Sequence, residues 1–237
     1  MPDTQPPDGI AALRAEIDAL DDALHDLVMR RAEVVARLAE SRAKGDGPAL
    51  RPGREAAILR RLLARHAGPL PREALVRLWR ELLWAHTTLQ APITVAAALP
   101  EDGVEVLRAH LGLAAAVTRC ADEGAAFAAF AAGEVSLVAL PAGGRWWRSL
   151  DTARLSVVAR LPFLGAGPIV FLLSPAPPDS SGDDRSLACV WPGARFDAPV
   201  LARDGDAMLV ELPSVLGRRD APLGAVILGT YAAPIQA

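Results

Sequence analysis

The residues best placed to do chemistry in this chain are arginines at positions where an amphipathic helix ordinarily carries leucine. Ile10, Ile17, Leu24 and Leu38 recur on a spacing of seven, and the position between Leu24 and Leu38 is Arg31. A guanidinium cannot be neutralised, and burying it unpaired is expensive, so Arg31 asks for a carboxylate from the protein or from a ligand. The alternative is that it snorkels to water near a helix crossing. Arg42 lies eleven residues on, three turns plus about 20°, and so shares nearly the same face. Arg14, seventeen residues before Arg31, points about 100° away, which suits a pocket on a partner chain better than one on its own. Arg30, Arg37, Arg60 and Arg61 read as ordinary solvated positions.

Further along, Arg51-Pro52-Gly53-Arg54-Glu55 sets charged side chains and free backbone N–H groups at a helix start, where anions are favoured. His86, Thr87, Thr88 and Gln90 close a later helix and either face Arg31 and Arg42 or form a solvated helix end. Together these positions describe a helical pocket lined by arginines, one glutamate and one glutamine. It has no nucleophile–base pair, no metal-ligand spacing and no phosphate loop. The natural guest is a small dicarboxylate. Such a pocket catalyses by holding a reactive conformer and placing donors where negative charge develops.

Three helices must position these side chains. Residues 9–44 contain no proline and repeat apolar side chains at steps of three and four, adding Leu13, Leu20, Leu27 and Val34 to the seam. Gly45-Asp46-Gly47-Pro48 breaks this helix, a second starts near Pro52, and a third carries Leu75, Leu78, Trp79, Leu82 and Leu83 before Pro92. So long a first helix cannot bury its stripe against two shorter ones, and a homodimer is expected. From Pro92 the pattern changes to strand, helix, strand, helix, strand, with strands expected at 93–98, 115–120, 135–140, 155–161 and 169–173 and helices at 101–111 and 123–132. That order predicts an α/β unit with a parallel sheet. A flexible linker is expected at 174–184, then a small α+β tail with strands at 186–190, 208–212 and 225–231. The expected organisation is therefore an all-α domain over residues 1–91 and an α/β to α+β domain over 92–237.

At 237 residues, 51% of them apolar, the chain can build two cores. Its net charge is −3, and its arginines alternate with carboxylates, which argues against nucleic acid as a partner. Cys120 and Cys189 stand far apart, without CxxC spacing, and read as small buried hydrophobes. The start of the chain is polar and proline-rich, and no apolar run approaches bilayer length. A cytoplasmic protein without membrane contact is expected.

The run Leu13-Arg14-Ala15-Glu16-Ile17-Asp18-Ala19-Leu20-Asp21, then Arg31, then Arg54-Glu55 with Ile58-Leu59, then Gln90, resembles the all-helical chorismate mutases, including those fused to prephenate dehydratase, over residues 9–91. The resemblance implies an intertwined dimer that rearranges chorismate to prephenate by a pericyclic step, with no cofactor and no covalent intermediate. Carried over by position, it implies that Arg31 binds a substrate carboxylate, with Arg14 reaching in from the other protomer. Glu55 would hold the ring hydroxyl or act near the ether oxygen, to which Gln90 would donate, and Arg54 would fix the carboxylates or the helix start. Three positions depart from the family pattern: Arg42 replaces a lysine, Arg51 an acidic residue and His86 a serine.

Residues 93–141 and the ending Val226-Ile227-Leu228-Gly229-Thr230-Tyr231 resemble, over short stretches, the first lobe of prephenate dehydratase and the last strand of its ACT-type regulatory module. Asp184-Arg185-Ser186-Leu187 stands where that family has Thr-Arg-Phe, so no dehydratase activity is expected. Such a domain would bind an aromatic amino acid, contact another enzyme, or stabilise the dimer. Trp146 and Trp147 would line a pocket or cover a core. Two readings compete with an active mutase: a binding or regulatory protein that keeps the fold without turnover, and a structural dimerisation module. Arg31 argues against the second of these, because a dimerisation seam has no use for a cation.

Overall fold

The computed structural model describes residues 9–42, 48–192, 197–216, 221 and 223–235, the side chain of Arg42 excepted. The chain divides into two compact units, at residues 47 and 48.

The first unit holds one helix, α1 (Gly9–Arg42), of 34 residues, as its proline-free periodicity predicts. Its apolar stripe is open to solvent in the single chain: Ile10 is 63% exposed, Leu24 58% and Leu38 44%.

The second unit begins with α2 (Pro52–Ala64) and α3 (Arg72–Thr88), both starting beside prolines that suit a first helical turn. There follow β1 (Thr94–Ala97), α4 (Glu101–Leu111), β2 (Ala116–Arg119), α5 (Glu123–Ala131) and β3 (Leu137–Pro141). After these come β4 (Ser156–Leu161), β5 (Val170–Ser174), β6 (Asp184–Val190), β7 (Val200–Asp204), β8 (Ala207–Leu212) and β9 (Ala225–Ala232). All nine strands join one sheet in the order β2-β1-β3-β5-β4-β9-β6-β8-β7.

Strands β2, β1 and β3 run parallel, as expected of strands joined by helices. The expectation of a parallel sheet fails at β4 and β5, which pair antiparallel. Only residues 162–169 connect them, and a parallel crossover needs a dozen or more. The tail is likewise no separate module. Strand β9 lies between β4 and β6, so β6, β8 and β7 continue the same sheet.

Alternating residues supply the two faces. Ala96, Val138, Leu140, Phe171 and Leu173 pack on one side beneath α5. On the other side Val95, Ala97, Leu137, Ala139 and Leu172 meet Val104, Leu107 and Leu111 of α4. Trp146 and Trp147 are core residues: both are buried, and their ring N–H groups donate to the carbonyls of Pro141 (2.8 Å) and Gly144 (2.6 Å). Cys189 is fully buried, and burial pushes its thiol up to about 11, whereas Cys120 is half-buried. Helices α2 and α3 pack with the strand-rich part: Ala56, Leu59 and Leu83 form a cluster with Phe163 from the β4–β5 connection.

Candidate active site

On α1, Arg31 is half-buried while its seam neighbours Leu24, Leu27, Val34 and Leu38 are exposed. Arg14 is exposed, and the Arg42 side chain lies outside the described residues. The other five expected site residues, Arg51, Arg54, Glu55, His86 and Gln90, belong to the second unit.

The start of α2 is built as the sequence suggests, but an internal carboxylate takes the anion position. Asp179 accepts hydrogen bonds from the N–H groups of Gly53 (2.8 Å) and Arg54 (3.0 Å), and Arg51 Nε lies 3.4 Å from the same carboxylate. A carboxylate here satisfies orphan helix donors and meets the positive end of the helix. Segment 174–184, expected as a flexible divider, is thus anchored on α2. Arg60 adds hydrogen bonds to Ser181 Oγ (2.7 Å) and the Asp183 carbonyl (2.8 Å). Gly53 is required by this approach, because a Cβ there would stand 2.2 Å from the Asp179 carbonyl oxygen. Gly53→Ala gains helix propensity worth about 1 kcal/mol but dislodges the cap. A net loss of roughly 1–2 kcal/mol is expected in urea unfolding, close to that of Asp179→Ala.

One residue further on, Glu55 is buried and accepts a hydrogen bond from Arg80 Nη1 of α3 at 3.0 Å. Arg80 is 3% exposed and stacks over the Phe163 ring at 5.4 Å. Burial pulls its guanidinium down to about 10 against the pull of Glu55 in the other direction, so it remains charged at neutral pH. Burial, with the Arg80 charge adding to it, holds His110 of α4 well below the ordinary histidine value. Unfolding lets His110 take up a proton. Its contribution to stability is therefore complete above about 6.5 and is lost as pH falls below that.

His86, at the C-terminal end of α3, is buried and pairs through Nδ1 with the Leu82 carbonyl. Gln90 Nε2 donates to the His86 carbonyl at 3.0 Å. The structure thus brings Glu55 onto Arg80, Arg51 onto Asp179, and Gln90 onto the turn of His86, while the Arg54 side chain is exposed.

Arg80 and Asp179 escaped the sequence reading. The signal for Arg80 was present: it falls four residues after Val76 and three before Leu83, on the buried stripe of α3, while Leu78, placed on that seam by the sequence, is 59% exposed. Asp179 gave no such signal within Pro177-Pro178-Asp179-Ser180-Ser181.

Comparison with known proteins matches the family "Chorismate mutase type II" over residues 13–91. The bifunctional chorismate mutase/prephenate dehydratase of Pseudomonas aeruginosa is 35% identical over 141 residues, covering 56% of this chain and 39% of that protein. The protein of the same description from Neisseria gonorrhoeae is 35% identical over 109 residues, covering 45% and 30%. This chain therefore spans well under half the length of these curated relatives. The Pseudomonas match is longer than the whole helical part, so it includes residues of the strand-rich part. Among solved structures, prephenate dehydratase from Streptococcus mutans aligns at 13% identity with a TM-score of 0.40, covering 60% of this chain and 100% of that one. The enzyme from Arthrobacter aurescens, solved in complex with L-Phe, aligns at 13% identity with a TM-score of 0.42, covering 60% and 92%. Over residues 13–91, then, this chain resembles the type II chorismate mutases, as its arginine-interrupted seam and the motifs after it imply.

Proposed function

We propose that the chain is a chorismate mutase that rearranges chorismate to prephenate, in the cytoplasm and as a homodimer. The observation that carries this reading is the family match over residues 13–91, which contains Arg14, Arg31, Arg42, Arg51, Arg54, Glu55, His86 and Gln90 in order. Arg31 and Arg42, with Arg14 of a second protomer, hold the two substrate carboxylates and select the conformer in which the ends that must bond lie close. Gln90 donates to the ether oxygen as negative charge develops there, and an amide keeps that donor at every physiological pH. Glu55, fixed by Arg80, holds the ring hydroxyl. Arg51, Arg54 and His86 border the pocket. The step needs no cofactor.

The open stripe of α1 supports the dimer, because Ile10 to Leu38 repeat on coiled-coil spacing and are exposed among the described residues. Ile17→Glu with Leu24→Glu is expected to turn the dimer into monomers in sedimentation velocity. An unchanged sedimentation coefficient counts against the seam as interface.

A second reading is a binding protein without turnover, favoured by the Asp179 carboxylate on the start of α2. Incubating purified protein with chorismate, beside an Arg31→Ala variant shown to stay dimeric, decides between them. Prephenate formed by the parent and not by the variant supports the mutase, and none from either supports the binding protein. Phenylpyruvate at neutral pH, formed faster than in a prephenate control without protein, would add dehydratase activity to the chain.

A further inference from the structure

Strands β4, β6 and β8 carry Arg160, Arg185 and Glu211 to one cleft, and Tyr231 of the neighbouring strand β9 is buried against Glu211. Arg185 and Tyr231 are register partners, and Glu211 lies opposite Leu187. The cleft has a volume of about 410 Å³ and is lined by Arg160, Arg185 and Glu211, with Pro162, Pro234 and Ile235 as an apolar wall. That volume falls in the range of small-molecule sites.

Its polar groups are unevenly matched. The Tyr231 hydroxyl donates to Glu211 Oε2 at 2.6 Å, and burial with the nearby Glu211 charge keeps that hydroxyl protonated. Arg160 Nε stands 3.4 Å from the same oxygen, an ion pair without a hydrogen bond, and this nitrogen is closed to solvent. The Arg160 side chain is only 18% exposed, and its guanidinium makes no hydrogen bond among the described residues. Arg185 by contrast is held by Asp183 (3.0 Å) and the Pro213 carbonyl (3.2 Å). With Nε closed to solvent, the donors left to a ligand are the two Nη groups, and a carboxylate completes them. Asp183 balances Arg185 and Glu211 balances Arg160, so the cleft carries no net charge, and what it offers a ligand is the Arg160 Nη donors, enough for one carboxylate.

We propose that this cleft binds a small organic monocarboxylate, its carboxylate on Arg160 and its apolar body along Pro162, Pro234 and Ile235. The site uses none of the residues assigned to the mutase reaction and does not depend on that reading.

Tyr231 is the only tyrosine in the chain, so full-length protein labelled with 3-fluorotyrosine gives one fluorine resonance that reports from beside the cleft. Titration with phenylacetate is expected to shift it saturably, with half-saturation near or below roughly 1 mM, while phenethylamine leaves it unmoved. Arg160→Gln is expected to weaken binding at least tenfold with the circular dichroism spectrum unchanged. Arg160→Lys keeps the charge without the fork and serves if the glutamine variant melts; it is expected to weaken binding severalfold. No saturable shift, equal binding by the parent and the lysine variant, or a response to inorganic phosphate as strong as that to phenylacetate would overturn the proposal.

Discussion

Arg80→Ala is expected to cost the fold about 3–5 kcal/mol, read as a lower urea midpoint at an unchanged denaturant slope. Arg80 is 3% exposed and faces a buried glutamate at 3.0 Å, so the variant removes the cation and leaves the Glu55 carboxylate in the interior. The Arg80 value of about 10 lies below the 12.5 of an unfolded arginine, so the folded state holds the proton less tightly than the unfolded one. Charging this side chain therefore opposes folding, and Glu55 offsets the burial only in part. Arg80→Met combined with Glu55→Leu is expected to recover most of the loss, a coupling that a double-mutant cycle measures directly. Additive losses in that cycle would show that the two side chains do not act as a pair. Because Arg80 is the smaller of two causes depressing His110, Arg80→Met is also expected to raise the His110 value without restoring it to 6.5. A histidine NMR titration resolves that shift.

The elements of this fold were legible wherever local periodicity and punctuation agree. The first helix is a proline-free seam of sevens, and α4 begins after Pro100 and ends at Gly112, whose positive φ suits a helix end. Strand β7, Val200–Asp204, was missed because it is a short edge strand with only partial burial, offering neither an apolar run nor a clean alternation. The order of strands was illegible for a different reason. Placing β9 between β4 and β6 depends on contacts far apart in sequence, which no local pattern encodes. The candidate site divides along the same line. Arg31 is visible because it interrupts a periodic seam, and Arg80 interrupts one by the same rule. Asp179 and the Arg160–Glu211 pair are made by tertiary proximity alone, between segments that read separately as a loop and ordinary strands.

Arg31 offers the sharpest separation of structure from function, because its seam position makes opposite demands on the two. Leucine at 31 would complete the run from Leu24 to Leu38, so Arg31→Leu is expected to leave the proposed dimer intact and to raise its melting temperature. The same change removes the guanidinium that the proposed reaction uses to hold a substrate carboxylate. Losing a charged, bidentate contact of that kind costs about 3–4 kcal/mol, a fall in kcat/KM of roughly a hundredfold to a thousandfold. Arg31→Lys should fall between, since the charge survives while the planar fork does not. A structural arginine predicts something else: substitution by leucine would leave turnover within a few-fold of the parent, and substitution by alanine would lower dimer stability and activity together. Measuring kcat/KM and the dimer melting temperature for the leucine, lysine and alanine variants therefore separates a substrate-holding arginine from one that merely tolerates its position. Only the former gives a protein that becomes more stable as it becomes inactive.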